Sequence, residues 1–139
     1  MRIDWVIPAR YAELAGDGTM SILGGGIDTL LLPTRALPTP CEMFLALRVA
    51  GTEDEWASGR HGLTATLIFP SGRNEEVMYH RLASSSAPPD RQPGMEIGLL
   101  LPAIQRWTAS EHGLYTFELT LDGRHASSVS IMVRALPSP

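Results

Sequence analysis

Hydrophobic and polar residues alternate along much of the chain with the two-residue period of β-strands. The clearest alternation covers residues 114–121 (LYTFELTL), and it ends at the dipeptide Asp122-Gly123. Because Asp-Gly between two alternating runs is a strong hairpin signal, we predict a return strand over residues 126–133. The turn residues 70–73 (PSGR) predict a second hairpin, between residues 63–69 and 77–82.

The N-terminal half predicts further strands, separated by glycine and proline. Residues 3–7 (IDWVI) favour a strand that Pro8 ends, because proline lacks the N–H of a central ladder. After a turn at residues 16–19 (GDGT), the apolar segment 20–32 is interrupted by three consecutive glycines. Glycines inside such a segment indicate a bend at which a strand changes sheet, and we prefer this interpretation to a phosphate-binding loop.

Proline-rich residues 33–40 predict an extended crossover between two sheets. The nearly continuous apolar run that follows, over residues 43–49, predicts a central strand interrupted only by Arg48. Residues 52–62 are predicted to form a polar loop, and residues 84–94 (SSSAPPDRQPG) an exposed one suited to recognition.

Less regular patterns follow in the C-terminal third of the chain. Residues 95–101 predict another strand. Residues 102–110 are predicted to be irregular or briefly helical, since Ile104 and Trp107 lie three positions apart and could face the core from one turn. No other segment has a convincing helical period.

Together these elements predict an all-β fold in a single domain over residues 1–139. About eight strands at spacings of roughly 10 to 20 residues, joined by turn residues, favour a two-sheet antiparallel sandwich, immunoglobulin-like or jelly-roll-like. A partly closed β-barrel is the alternative.

Composition narrows the classes of function. The 139 residues carry a formal net charge of −4 with no basic run, so no nucleic-acid partner is expected. Cys41 is the only cysteine, which excludes an intramolecular disulfide. We see no signal peptide and no apolar stretch long enough for a membrane helix, so we expect no membrane partner and a cytoplasmic location.

No residue pattern predicts catalysis, a cofactor or a metal. The histidines (His61, His80, His112 and His125) lack paired ligand spacings; His80 is expected to be half-exposed on a sheet face, and the other three to be solvated turn residues. The acidic run Glu53–Glu55 is expected to be a solvated loop, and Glu75 and Glu76 to protect a sheet edge. The serines 84–86 lack a nucleophile elbow.

The predicted function is therefore a non-enzymatic interaction or structural module that binds a protein partner or self-associates. The alternative is a small-ligand or carbohydrate binding domain, and an enzyme or metalloprotein is least favoured. Trp56, flanked by polar residues, is expected to be exposed and, with Asp90 and Arg91, to contact the ligand or partner.

Two resemblances support the β architecture. The segment 111–115 (EHGLY) before an alternating strand resembles the strand entry of immunoglobulin-like domains, where a Tyr hydroxyl bonds back to the preceding loop. The opening IDW strand, the stretch GDGTMSILGGG and the closing hairpin GLYTFELTLDG resemble a family of small uncharacterised bacterial proteins. That resemblance implies the β fold and carries over no functional residues.

Overall fold

The computed structural model describes residues 1–33, 37–83 and 94–136. Within them the all-β prediction is confirmed, with ten strands and one short helix, and one of the sheets curls into a half-barrel. The elements in chain order are β1 (Arg2–Ala9), β2 (Tyr11–Leu14), β3 (Met20–Leu23), β4 (Thr29–Leu32), β5 (Thr39–Gly51), α1 (Glu53–Ala57), β6 (His61–Ile68), β7 (Asn74–Leu82), β8 (Ile97–Ala109), β9 (Gly113–Leu121) and β10 (Arg124–Ala135).

The largest sheet has five strands in the order β4-β10-β9-β6-β7. Both predicted hairpins lie in it, β6 with β7 and β9 with β10, and the second turns at Asp122-Gly123 as expected. Strand β4 pairs in parallel with β10, so the expectation of purely antiparallel pairing is wrong. The chain comes to β4 from the two-stranded sheet, and no short turn connects β4 to β10. Antiparallel pairing is therefore not imposed by a hairpin.

A three-stranded sheet has the order β1-β5-β8, with β5 at its centre as the apolar run predicts. Pro8 does not end β1 but lies inside it, paired with Leu45. The Pro8 carbonyl points away from β5 and accepts the N–H groups of Gly26 at 2.8 Å and Ile27 at 3.2 Å. The backbone nitrogen of Pro8 therefore also faces the outer edge of the sheet. Its missing N–H removes no hydrogen bond between β1 and β5.

Strand β8 corrects the prediction for residues 102–110, which are extended through Ala109. Pro102 pairs with Ala46, the neighbour of Leu45 on β5. Adjacent residues of a strand direct their backbone groups to opposite sides, so Pro102 also faces away from β5. In this extended chain Trp107 is buried on the inner side, whereas Ile104 lies on the other face.

The glycine bend separates two strands of different sheets, as predicted. Strand β3 before it forms a two-stranded sheet with β2, and strand β4 after it joins the five-stranded sheet. Gly24 and Gly26 have φ of 61° and 82°, a conformation that side chains rarely adopt. The three glycines therefore serve a sharp turn.

One hydrophobic core joins the three-stranded and five-stranded sheets. Its largest fully buried apolar side chains come from β5, β6, β9 and β10: Met43, Leu45, Leu47, Leu63, Leu67, Tyr115, Phe117, Leu119 and Ile131. Gln105 is the buried polar residue among the described positions. The alternation within each strand places these residues on a shared side, as the two-residue period requires.

Candidate functional site

Trp56 lies in the short helix α1, and the expectations of a polar loop and an exposed Trp56 are wrong. Thr52 caps the helix by accepting the Glu55 N–H, and the Glu55 carboxylate accepts the Thr52 N–H in return. The Trp56 side chain packs into the core at 8% exposure, and its Nε1 donates to the Ile97 carbonyl at 3.0 Å. Trp56 therefore anchors α1 to β8.

A partly buried ion pair forms between the start of β6 and the turn after β9. His61 Nδ1 lies 2.6 Å from Asp122 Oδ2, and His61 Nε2 lies 2.7 Å from the Glu55 carbonyl. Asp122 Oδ1 accepts the Gly62 N–H at 2.8 Å. Because both neighbours of the imidazole are acceptors, the doubly protonated ring satisfies both contacts.

The ionisation of this pair follows from its contacts. The hydrogen bond to Asp122 raises the pKa of His61, while burial acts in the opposite direction. Burial also raises the pKa of Asp122, but the bonds from His61 and Gly62 outweigh it, so the pKa of this carboxyl group is lowered. His61 is thus not the solvated turn residue that its sequence context predicts, since its side chain is only 11% exposed.

The other histidines are dispersed. His125 meets Glu118 at 3.0 Å at the surface, and His80 is half-buried on β7. The expectation of a solvated His112 is wrong, because its Nε2 is buried without a partner among the described residues. Over residues 1–33, 37–83 and 94–136, no three His, Cys, Asp or Glu side chains converge as metal ligands.

The predicted tyrosine contact is present at the start of β9. The Tyr115 hydroxyl donates to the Glu111 carbonyl at 2.7 Å, four residues upstream. The ring is fully buried and packs edge-on against Phe69, with centroids 5.4 Å apart. Its role is structural, because the hydroxyl group donates its hydrogen bond to the preceding loop and thereby holds that loop in place.

A cavity opens where the end of β8 lies near the start of β7. Its volume is about 560 Å³, and its lining is Pro40, Cys41, Glu42, Glu75, Arg106, Trp107 and Thr108. Cys41 and Trp107 are cross-strand neighbours on the inner side, and Arg106 Nε bonds Glu42 Oε2 at 3.0 Å on the rim. Burial raises the pKa of the Cys41 thiol, which keeps it neutral.

The outer sides of the two larger sheets differ in chemistry. The outer side of the five-stranded sheet carries Tyr79 and Leu114, 63% and 50% exposed, among a majority of hydroxyl groups: Thr64, Thr66, Thr116, Thr120, Ser128 and Ser130. On the outer side of the three-stranded sheet, between the charged residues Glu42 and Arg106 at one end and Arg48 at the other, lies a contiguous apolar group that we call the outer apolar face: Trp5, Ile7, Phe44, Ala46, Leu100, Pro102 and Ile104. Strands β2 and β3 cover only part of this face.

The covering hairpin leaves apolar side chains at the surface. The ring of Tyr11 stands edge-on to Phe44, with centroids 5.3 Å apart, and Ala12 beside it is buried. Leu14 and Leu23 of the same hairpin remain 50% and 64% exposed. The hairpin and the outer apolar face thus form one continuous region whose burial within the chain is incomplete.

The sequence-predicted contact residues are not brought together. Trp56 is in the core, while Asp90 and Arg91 lie outside the described residues, as does most of the proposed recognition loop. Sequence reasoning did not single out the pair of His61 and Asp122, which are far apart in the chain. The register of β6 against β9, with Leu63 opposite Leu121, brings them together.

A comparison with protein-family models matches residues 5–134 to a family of unknown function, DUF6941. The chain belongs to this family. Neither the curated proteins nor the solved structures contain a match. Among the described residues, no helix has the length and apolarity needed to cross a membrane.

Proposed function

We propose that this member of DUF6941 is a non-enzymatic, cytoplasmic interaction module that self-associates through its outer apolar face. The two larger sheets are proposed to be the layers of one sandwich domain, with the face on the outside. The observation that supports the function is the contiguous run of apolar residues on the outer side of the three-stranded sheet, which strands β2 and β3 cover only in part. A contiguous apolar patch on the surface of a protein is typical of an interaction site and not of a surface that contacts only solvent.

The edges formed by β1, β8 and β7 are poor alternatives to this face. Pro8 lies in edge strand β1 and Pro102 in edge strand β8 of the three-stranded sheet, and each places its missing N–H outward. At the edge of the larger sheet, β7 carries the charged residues Glu75 and Glu76. Proline and charge on an edge strand oppose strand addition. We therefore favour association by the face over association by an edge.

The charges around the face favour an uncharged partner surface. Arg106 is paired with Glu42, and Arg48 with Asp4, so these two cations of the outer side are neutralised within the chain. An interface that is apolar and internally neutral matches a second copy of itself across a two-fold axis. A second copy is thus the partner we propose.

The test replaces Leu100 by Glu. Leu100 lies opposite Arg48 across the β5–β8 pair, so the new carboxylate meets a cation within the folded chain. Leu100 is already half-buried, and covering its remainder contributes about 1 kcal/mol in each copy, so the dimer Kd should rise at least about 30-fold. Sedimentation equilibrium over a range of protein concentrations measures this constant.

Thr64→Glu is the matched control, since it places the same carboxylate on the hydroxylated side opposite Thr120. We expect this variant to associate as the parent chain does. A parent chain that stays monomeric at several hundred micromolar would refute the proposal, and so would equal loss of association in both variants. Far-ultraviolet circular dichroism confirms that each variant is folded.

A further inference from the structure

The cavity between β5, β7 and β8 has features of a ligand site, and it shares only the rim pair of Arg106 and Glu42 with the surroundings of the outer apolar face. Its volume of about 560 Å³ falls in the range of small-molecule pockets. We propose that it binds a polyhydroxylated ligand of mono- or disaccharide size. The argument rests on the polar groups that line it and on a buried donor without an acceptor.

Trp107 supplies that donor. Its side chain lines the cavity and is 6% exposed, yet its Nε1 has no hydrogen-bond partner among the described residues. The other two tryptophans differ: Trp56 donates to Ile97, and Trp5 is only half-buried. A buried N–H without an acceptor is destabilising, because the free energy of its lost hydrogen bond to water is not regained. A ligand oxygen that reaches this group would recover that free energy.

The acceptors of the site are carboxylates. Glu75 lies opposite Leu67, so it is on the inner side of its sheet and borders the cavity, and it has no ion-pair partner among the described residues. Glu42 and Arg106 form an exposed pair on the rim, which contributes little to stability and can rearrange. The cavity therefore presents groups that only accept beside groups that only donate.

Hydroxyl groups complement this mixture best. Each hydroxyl donates one hydrogen bond and accepts others, so a polyol carries the donors that Glu75 needs and the acceptor that Trp107 lacks. A neutral polyol also brings no charge of its own that would need a partner beside Arg106 or the carboxylates. The neutral Cys41 thiol and the Pro40 ring supply apolar surface for the ring carbons of a sugar.

Binding can be followed at the indole N–H groups in a ¹H–¹⁵N spectrum. Trp107→Phe assigns the Trp107 signal, and the Trp56 signal is an internal control because its hydrogen bond lies inside the core. The probes are glucose, galactose, N-acetylglucosamine, maltose and cellobiose at millimolar concentration. We expect at least one of them to shift the Trp107 signal saturably and to leave the Trp56 signal in place.

Glu75→Gln should weaken the binding of that sugar about 10-fold, since it replaces a charged acceptor. Glu76→Gln is the matched control, because Glu76 lies opposite Thr66 on the other side of the same strand, and it should leave the affinity unchanged. The proposal is overturned if no probe shifts the Trp107 signal or if both variants bind alike. A shift produced only by putrescine or lysine would also overturn it, because that would identify a cation site.

Discussion

The contact between His61 and Asp122 predicts that folding stability depends on pH near neutrality. His61 is 11% exposed and its two nitrogens face a carboxylate and a carbonyl oxygen, so the folded state favours the imidazolium. We propose replacing His61 by Gln, which is neutral at every pH of interest and retains one amide donor. The variant therefore removes the titrating imidazole and keeps a polar side chain at residue 61.

The sign of the effect follows from linkage. The pKa of His61 is raised in the folded chain, chiefly by Asp122, so the contact contributes fully below the ordinary histidine pKa of about 6.5. This contribution is lost as the pH rises through the folded-state pKa. Charge-assisted hydrogen bonds contribute about 1.5 to 3 kcal/mol, and because Asp122 is 39% exposed we expect about 1 to 2 kcal/mol.

Urea unfolding followed by tryptophan fluorescence measures this quantity. Between roughly pH 5.5 and pH 8.5 the parent chain should lose about 1 to 2 kcal/mol more than His61→Gln does, or roughly 4 to 8 °C in Tm. His125→Gln is the control, because His125 meets Glu118 with a side chain that is 60% exposed. If His61→Gln kept the pH dependence of the parent, the assignment of an imidazolium at this position would be refuted.

Three further substitutions test the structural interpretation by urea unfolding at neutral pH. Tyr115→Phe should cost about 1 kcal/mol, because the Glu111 carbonyl loses its donor; an unchanged stability would mean that this bond is absent. Trp56→Phe should cost about 1 to 3 kcal/mol through the lost bond to Ile97 and lost volume, whereas a negligible cost would restore the exposed Trp56. Gly123→Ala should cost about 1 kcal/mol because φ is 79°, and a stabilised variant would contradict this turn geometry.

Local patterns predict the elements whose partners are close in sequence. The β9–β10 hairpin and the β6–β7 hairpin follow from turn residues between alternating runs, because a short turn leaves few other registers. The glycine bend at residues 24–26 follows from the cost of glycine inside a strand. The Tyr115 contact is equally local, since its acceptor Glu111 is four residues away.

Other elements were predicted wrongly for identifiable reasons. Helix α1 has a local signal, the capping box formed by Thr52 and Glu55, which the polar character of residues 52–62 masks. Pro102 suggests a break within strand β8, and only the sheet order shows that this position faces an outer edge. The parallel pairing of β4 with β10 has no local signal, because about a hundred residues separate the partners.

The candidate sites lie beyond sequence patterns because each depends on register. His61 and Asp122 meet only because β6 pairs with β9, and Glu75 and Trp107 line one cavity only because their two sheets approach each other. Residue types alone do not distinguish Glu75 from Glu76, yet they lie on opposite sides of β7. A one-residue slip in that pairing would exchange their positions.

The apolar run of strand β5 indicates both the position of the strand within its sheet and the cover on the two faces of that sheet. This run predicts a central strand, and the strand is central. A central position only requires that the strand has a hydrogen-bonded neighbour on each side. Apolar side chains on both faces of the strand indicate, in addition, that both faces of the sheet are covered. Met43, Leu45 and Leu47 meet the other sheet, whereas Phe44 and Ala46 belong to the outer apolar face. The run therefore implies cover on both sides of the sheet. Strands β2 and β3 supply only part of the outer cover, and the remainder is the surface that we assign to a second copy.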